Sequence, residues 1–391
     1  MTNSLLVAAE RNVRLHALIR IFAKRVFLPL TAIYMVEYVG LSVVDIGYLS
    51  AFFSLTQLLM EIPTGYFADR LGKVLSLRIG AILALLATLC YVFLHQRLGI
   101  YLGVFLEALG YSFMGGAGEA LTHDSLAVQG KDHEYTKIVS RAQSYSLIIN
   151  AILITLVPMS YAVDPRAPFL IGTLAYLILA GTTVFMRDMP AAKAEKVTHQ
   201  LPSPLRLLRR PDLLLFAFSF GAVAALYTTP SDYLNLTLKD LGLRPDLIGW
   251  VYGAASVVGA LVGTVAHHLK RMPLGRYLVL DLGALLFIYI AAFSQNVPFL
   301  IFAMVMGIAL WRYRRIIYQD YLLSKYHTGL KATLISALNN VEQISAVWLP
   351  LLFTLAIHQV GLTRGLSLMG LFTLAMIPLY VYACRRFFGR V

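Results

Sequence analysis

The chain has 391 residues, 59% of them hydrophobic and only 14% charged, with a mean hydropathy of +0.72. Soluble domains carry roughly 25% charged residues, so the composition excludes an ordinary soluble globular protein. A formal net charge of +13 invites nucleic acid as a partner, but the placement of the bases accounts for it without one.

About 20 apolar residues cross a bilayer as a helix, and hydropathy windows of about 19 residues predict twelve such spans. The first six cover 15–38, 43–66, 73–94, 98–123, 138–161 and 166–187. After a polar break come 212–236, 245–268, 274–294, 297–322, 334–358 and 363–386. The expected class is therefore an all-α polytopic membrane protein with twelve transmembrane helices. Glu10, Arg11 and Arg14 precede the first run with no small-residue cleavage site behind a compact apolar core. A cleaved signal peptide is not expected. Cys90 and Cys384 both lie in apolar runs and read as small packing residues, which leaves no disulfide or metal framework.

The break from Arg187 to Pro211 contains Pro190, Pro202, Pro204 and Pro211 with six Lys or Arg. It divides the chain into a six-helix bundle at 1–187, a linker at 188–211 and a second six-helix bundle at 212–391. Orientation follows from the loop bases. Twenty lie on the side of the linker, and the other side holds Arg97, Arg166, Lys239, Arg244 and Arg364. This imbalance puts the linker and both termini in the cytoplasm, and it explains the net charge with no nucleic acid.

Between the second and third spans lies Gly65-Tyr66-Phe67-Ala68-Asp69-Arg70-Leu71-Gly72-Lys73, a charged hinge between two apolar runs. Its glycines permit close backbone approach, and Asp69 suits either an Arg partner or a helix N-terminus. Gly263–Arg271 aligns with this hinge, and Ile316–Leu322 aligns with Ala120–Leu126 at nearly the same offset. Two matches at one offset support pseudo-repeat halves, the architecture of many secondary transporters.

The hinge closely resembles the signature between the second and third helices of the major facilitator superfamily, Gly-x-x-x-Asp-Arg-x-Gly-Arg/Lys. Gly65, Asp69, Arg70, Gly72 and Lys73 carry that match. Leu28-Pro29-Leu30, Tyr34, Gly40-Leu41-Ser42 and Ile46-Gly47 also look like that family's first loop. With the spans and the linker, the resemblance covers essentially the whole chain. It implies two bundles that rock about a substrate site near the midplane, lined by spans one, four, seven and ten. It also implies that the hinge is a cytoplasmic gate. It names no substrate.

A charge at the bilayer centre costs several kcal/mol, so ionisable groups inside spans usually face a cavity and mark function. Arg78 and Arg141 lie near span ends, within snorkelling reach of the interface. Six other bases form two clusters: Arg20, Lys24 and Arg25 in span one, and Arg312, Arg314 and Arg315 in span ten. Arg20 and Lys24 share a helix face, as do Arg312 and Arg315, with Trp311 and Tyr313 beside the second pair. Both clusters fall on spans that the resemblance assigns to the cavity. Their cations favour an anionic cargo held by charge-assisted hydrogen bonds, with Arg20, Lys24, Arg25, Arg312 and Arg315 as the binding candidates. Alternatively, span one starts near Val26 with its bases on lipid phosphates, and span ten breaks before Arg312. Tyr227 and Trp311 are the candidate aromatic contacts.

Span four carries Glu107, Glu119, His123 and Asp124. Glu119 and His123 lie one turn apart, which suits a titrating pair and proton carriage. The alternative is that Glu119 or Asp124 neutralises a cation of span one or five. Glu61 lies one turn before Gly65 beside Pro63 and suits a gate-side ion pair better than proton transfer. Asp232, Asp281, Asn339, Asn340 and Gln343 are further polar positions. Glu342 is the second-half candidate for coupling or charge balance.

The resemblance has gaps. Ala142–Val163 contains no glycine, whereas drug-exporting antiporters of the superfamily usually carry Gly-x-x-x-Gly-Pro in span five. His267 and His268 stand where the first hinge has Asp69 and Arg70, and a full set of sugar-porter motifs is missing. The expected function is a bacterial inner-membrane secondary transporter working by alternating access. It is expected to be monomeric and proton-coupled, and to move an anionic organic solute or metabolite. Efflux of amphipathic drugs by antiport is the alternative within transport, and a non-transporting receptor or lipid-handling protein is the rival outside it. No phosphate loop, zinc-type His/Glu spacing or nucleophile motif is present, so no enzyme activity, cofactor or metal is expected.

Overall fold

A computed structural model describes residues 3–190, 211–325 and 331–388; within them, the side chains at 264–271, 315–316, 319–325 and 331–340 fall outside the description. The helices in chain order are α1 (Asn3–Phe22), α2 (Val43–Leu71), α3 (Lys73–Phe93), α4 (Arg97–Met114), α5 (Ala117–Val128), α6 (Tyr135–Leu156) and α7 (Ala167–Val184). Then come α8 (Pro211–Thr228), α9 (Pro230–Asp240), α10 (Ile248–Arg271), α11 (Leu274–Phe293), α12 (Val297–Lys325), α13 (Lys331–Val360) and α14 (Leu362–Phe388). No β-strand occurs among the described residues, and eleven helices or helix runs are long and apolar enough to cross a membrane. The chain is a multi-pass, all-α membrane protein. Most predicted spans match these helices to within a few residues.

Three predicted spans are interrupted well inside their length, and two more, 138–161 and 245–268, carry a 3-10 segment at one end, Val157–Ala162 and Pro245–Leu247. In 15–38, α1 stops at Phe22, and a 3-10 turn at Leu28–Leu30, a helical turn at Thr31–Ile33 and a wide π turn at Tyr34–Tyr38 follow. Pro29 lacks the N–H that would bond to the Arg25 carbonyl; Leu28 N–H takes that carbonyl instead, at 3.1 Å. The span at 98–123 breaks between α4 and α5. Gly116 there adopts φ +71°, a left-handed backbone open to glycine, and Gly115 N–H closes α4 on the Tyr111 and Ser112 carbonyls. The span at 212–236 divides at Thr229, where Pro230 opens α9 at a position that needs no N–H.

The chain groups into two compact units, Met1–Leu28 with Leu55–Thr198 and Pro29–Ser54 with His199–Val391. In the first unit the tightest helix pair is α3 with α4. A Cβ on Gly80 would stand 2.7 Å from Gly110 O, and one on Gly110 would stand 2.8 Å from Gly80 O. Small residues let backbones touch where lipid offers no hydrophobic drive to association. Phe27 and Phe169 pack at 4.9 Å between ring centroids, with Tyr91 at 6.2 Å from Phe169, and join α7 to this pair. In the turn before α7, Asp164 accepts hydrogen bonds from the Arg166 guanidinium at 3.0 Å and from its N–H at 2.7 Å. These hold its carboxyl below the usual carboxylate range.

The second unit includes residues 29–54, which the division at 187 leaves with the first bundle. Three contacts explain the grouping. Asn235 Nδ2 donates to Pro29 O at 3.1 Å and to Tyr252 Oη at 2.9 Å. Lys239 forms an ion pair with Glu37. Gly47 lies so close to Thr354 and Tyr233 that no side chain fits there.

Candidate functional site

The Gly65–Lys73 stretch is mostly helix. α2 continues past Glu61, Pro63, Gly65, Asp69 and Arg70 to Leu71, and the turn is Gly72 alone, at φ +117° and ψ 140°. Glycine adopts that conformation readily, and other residues do so only under strain. A Cβ there would also stand 2.7 Å from Asp188 Oδ2. Asp188 accepts a hydrogen bond from Val74 N–H at 3.0 Å, which sets an acid on the first turn of α3, where the helix dipole favours it. The converse arrangement lies nearby. Arg78 donates to the carbonyls of Thr183, Val184 and Met186 at 3.2, 3.2 and 3.3 Å, a cation at the C-terminal end of α7. Lys73 pairs with Asp124 of α5, and Arg70 lies over the Tyr66 ring at 5.3 Å. Glu61 and Asp69 are exposed, and neither side chain makes a hydrogen bond or ion pair among the described residues.

On α1, Asn12, His16 and Arg20 recur every fourth residue and so share one face. Asn12 donates to Ser125 Oγ at 3.1 Å and to Arg187 O at 2.7 Å, and it accepts from Arg187 N–H at 3.2 Å. Arg20 holds Glu119 of α5 at 2.6 Å and also bonds to Gln143 of α6. His16 is buried beside Gly118, and both of its ring nitrogens lack a hydrogen-bond partner among the described residues. Lys24, past the end of α1, is exposed and makes no hydrogen bond or ion pair among the described residues. Arg25 faces Glu107 of α4, with Nε 3.7 Å from Oε1, and its guanidinium lies 5.7 Å from the Tyr111 ring centroid. Tyr91 Oη donates to Glu107 Oε2 at 2.8 Å, and the Tyr111 and Tyr176 hydroxyls lie 2.8 Å apart. His123 is exposed, with its ring edge-on to Tyr135 at 5.3 Å, and no bond joins it to Glu119.

The second unit has its own buried base. Arg314 of α12 is 1% exposed and donates from Nε to Asp281 Oδ2 of α11 at 3.0 Å and from Nη2 to Tyr380 Oη at 3.0 Å. Its guanidinium carbon lies 4.2, 4.9, 5.6 and 5.9 Å from the ring centroids of Phe220, Tyr318, Trp311 and Tyr380. Tyr318 Oη donates to Asp281 Oδ2 at 3.0 Å, and Tyr227 Oη donates to Asp281 O. The Tyr227 and Trp311 rings pack at 5.3 Å. Arg312 donates to Ser256 Oγ at 3.0 Å, with no acid on it among the described residues. Glu342 is half-buried on α13, and its side chain also has no hydrogen bond or ion pair among them. The side chain of Arg315 lies outside the described residues, as does most of the Gly263–Arg271 stretch.

The structure therefore sorts the predicted residues by what they touch. Arg20 with Glu119, Arg25 with Glu107 and Lys73 with Asp124 are brought together, while Lys24, Asp69, Glu61 and Glu342 stand without an ionic partner among the described residues. Sequence reasoning gave no role to Asp188, read Arg78 as snorkelling to the interface, and put Arg314 in the span-ten cluster without naming it a binding candidate. Asp188 is an acid just past the end of a span, and that position was the available signal.

Comparison with known proteins gives a consistent result. A model of the Major Facilitator Superfamily matches residues 15–350. The uncharacterized MFS-type transporter YxaM of Bacillus subtilis (strain 168) is 22% identical over 380 residues, covering 93% of this chain and 92% of YxaM. Among solved structures, the nucleoside transporter NupG matches with a TM-score of 0.82 and 11% identity, over 96% of this chain and 98% of NupG. The POT family transporter PepTSo matches with a TM-score of 0.72 and 12% identity, over 97% and 98% respectively. A bacterial homolog of the human lysosomal transporter Spinster gives 0.69 and 14%, over 99% and 97%.

Proposed function

The chain belongs to the major facilitator superfamily, and from that membership we propose that it is a proton-coupled secondary carrier of an anionic organic solute or metabolite, working by alternating access. In this reading it resides as a monomer in the bacterial inner membrane with both termini in the cytoplasm.

One observation supports the anionic cargo above the others. Arg20, Arg25 and Arg314 each face a carboxylate, whereas Lys24 holds no partner among the described residues and Arg312 holds only the Ser256 hydroxyl. A base within a membrane segment is costly, and one kept without an acid of its own suits an acid brought by the cargo. The same bases disfavour export of cationic amphipathic drugs, since each would repel them. Glu119 and Asp124 hold Arg20 and Lys73, which supports charge balance as their role; His123 and Glu342 hold no base among the described residues. Asp69 and Glu61, exposed on α2, suit a gate that makes and breaks contacts through the cycle.

The test is a thermal-shift panel of organic anions and cationic dyes on the purified protein, followed by counterflow in proteoliposomes with the stabilising compound. An organic anion is expected to stabilise. Lys24→Gln and Arg312→Gln are each expected to weaken that anion about 10–100-fold, the worth of one hydrogen bond to a charged group. Stabilisation by cationic dyes alone, or anion affinity unchanged in both variants, overturns the reading.

A further inference from the structure

Glu107 is buried, and its two oxygens are held unequally. Oε2 accepts the Tyr91 hydroxyl at 2.8 Å, whereas Oε1 has no hydrogen-bond partner among the described residues and faces Arg25 Nε across 3.7 Å. A charge-assisted N–H···O bond is about 2.7–2.9 Å long, so this ion pair is loose. Its two members also differ in access. Of the Glu107 side chain 3% is exposed, against 29% of the Arg25 side chain. The titratable and charged groups facing Glu107 are Arg25 from the segment after α1, Tyr91 from α3, Tyr111 from its own helix and Tyr176 from α7. Arg25 is the cation among them.

We propose that Glu107 is a proton-binding site of the carrier and Arg25 its exchangeable counter-ion, so that an anionic cargo engaging Arg25 causes Glu107 to take up one proton. The proposal rests on the anionic, proton-coupled reading above and adds the direction of coupling. An anion can approach along the partly exposed Arg25 side chain without first opening the sealed carboxylate. As it does so, Glu107 loses its counter-charge, and a buried carboxylate with no partner is strongly disfavoured against its protonated form. The proton comes from water and adds to Oε1, the oxygen with no bond to lose, while Oε2 keeps the Tyr91 hydroxyl. No other bond is made or broken. For a monovalent cargo the charge of the cluster is unchanged, since Arg25 exchanges one anion for another and Glu107 becomes neutral. Cargo and proton are thus taken up together, which is symport; an antiporter would release the proton on binding cargo.

The cargo is not needed for the test, because Arg25→Gln removes the counter-ion as the cargo would. The variants are reconstituted in lipid, checked for folding by size exclusion and examined by infrared difference spectroscopy at neutral pH. A protonated-carboxyl C=O band, shifted by D2O, is expected in Arg25→Gln, absent from wild type and Arg25→Lys, and lost in Arg25→Gln combined with Glu107→Gln. Dicyclohexylcarbodiimide, an apolar reagent that adds to protonated carboxyls, should label Glu107 at least tenfold more in Arg25→Gln than in wild type, read by mass spectrometry. A band that is missing in Arg25→Gln, or that survives Glu107→Gln, overturns the proposal. Should Arg25→Gln not fold, the wild-type protein at acid pH carries the same test: a carboxyl band must appear and must be lost in Glu107→Gln. A band assigned to Glu107 in a protein that no organic anion stabilises supports the proton site and sinks the anionic-cargo reading, so the two fail separately.

Discussion

Asp281→Asn is the sharpest test of the second unit. The substitution keeps the shape of the side chain and one oxygen, and it removes the charge that Arg314 faces at 3.0 Å. Arg314 and Asp281 side chains are 1% and 3% exposed, so water cannot replace the lost carboxylate. Breaking a buried pair by removing one partner costs about 3–5 kcal/mol. The Asn oxygen still accepts one hydrogen bond, and the rings of Phe220 and Tyr318 still lie over the cation, which favours the lower end, about 3 kcal/mol. A domain of a couple of hundred residues loses about 2–4 °C per kcal/mol, which gives a fall of roughly 6–12 °C. A thiol-reactive fluorogenic dye reads it in detergent. Cys384 is fully buried and, with Cys90→Ser as the background, is the one thiol left to report unfolding. Replacing both partners with apolar residues, Asp281→Leu with Arg314→Met, should recover most of the loss, because no charge is then left unpaired. An Asp281→Asn protein that melts within about 2 °C of the parent, less than 1 kcal/mol on the same scale, would refute this account of the cluster.

Two further predictions concern the turn between α2 and α3. Gly72→Ala forces a side chain into φ +117° against Asp188 and should cost at least about 1–2 kcal/mol, the penalty of a left-handed backbone. Asp188→Ala, which uncaps Val74, should cost about 1 kcal/mol; the same dye assay reads both, and unchanged melting in either variant refutes the capping role. Asp69→Asn should slow counterflow while leaving the affinity for the stabilising anion as it was. A weakened affinity at an unchanged rate would instead place Asp69 in the binding site.

The helices were legible because a bilayer demands long apolar runs, and a run is visible in one dimension. Their interruptions were less so. A window of about 19 residues averages over a single turn, so Pro29, Gly115-Gly116 and Pro230 could be read individually but did not divide the spans around them. The charged groups show a sharper limit. Arg312 and Arg314 lie only two positions apart on α12, on different faces of the helix, and their neighbours in the sequence do not tell them apart. Only Asp281, 33 residues earlier, shows that Arg314 is the buried one. Likewise the acid that caps α3 at Val74 lies 114 residues later in the chain. Helical spacing says which bases share a face, but not what that face meets.

Two arginine–carboxylate pairs with tyrosines around them carry different chemistry for geometric reasons. In Arg314–Asp281 both side chains are sealed, the bond is 3.0 Å long, and Asp281 Oδ2 also takes the Tyr318 hydroxyl. An anion from outside has no route to that guanidinium, and the carboxylate oxygen that holds it is already doubly engaged. In Arg25–Glu107 the base is partly accessible, the separation is 3.7 Å, and Glu107 Oε1 has no other partner among the described residues. The first pair can only be broken by unfolding its surroundings; the second can be opened by an anion that competes for the base. It follows that an organic anion should change the protonation of Glu107 and leave that of Asp281 alone. Infrared difference spectra taken on adding the stabilising anion, in wild type and in Glu107→Gln, check this: an anion-dependent carboxyl band that persists without Glu107 would assign the exchange to some other acid.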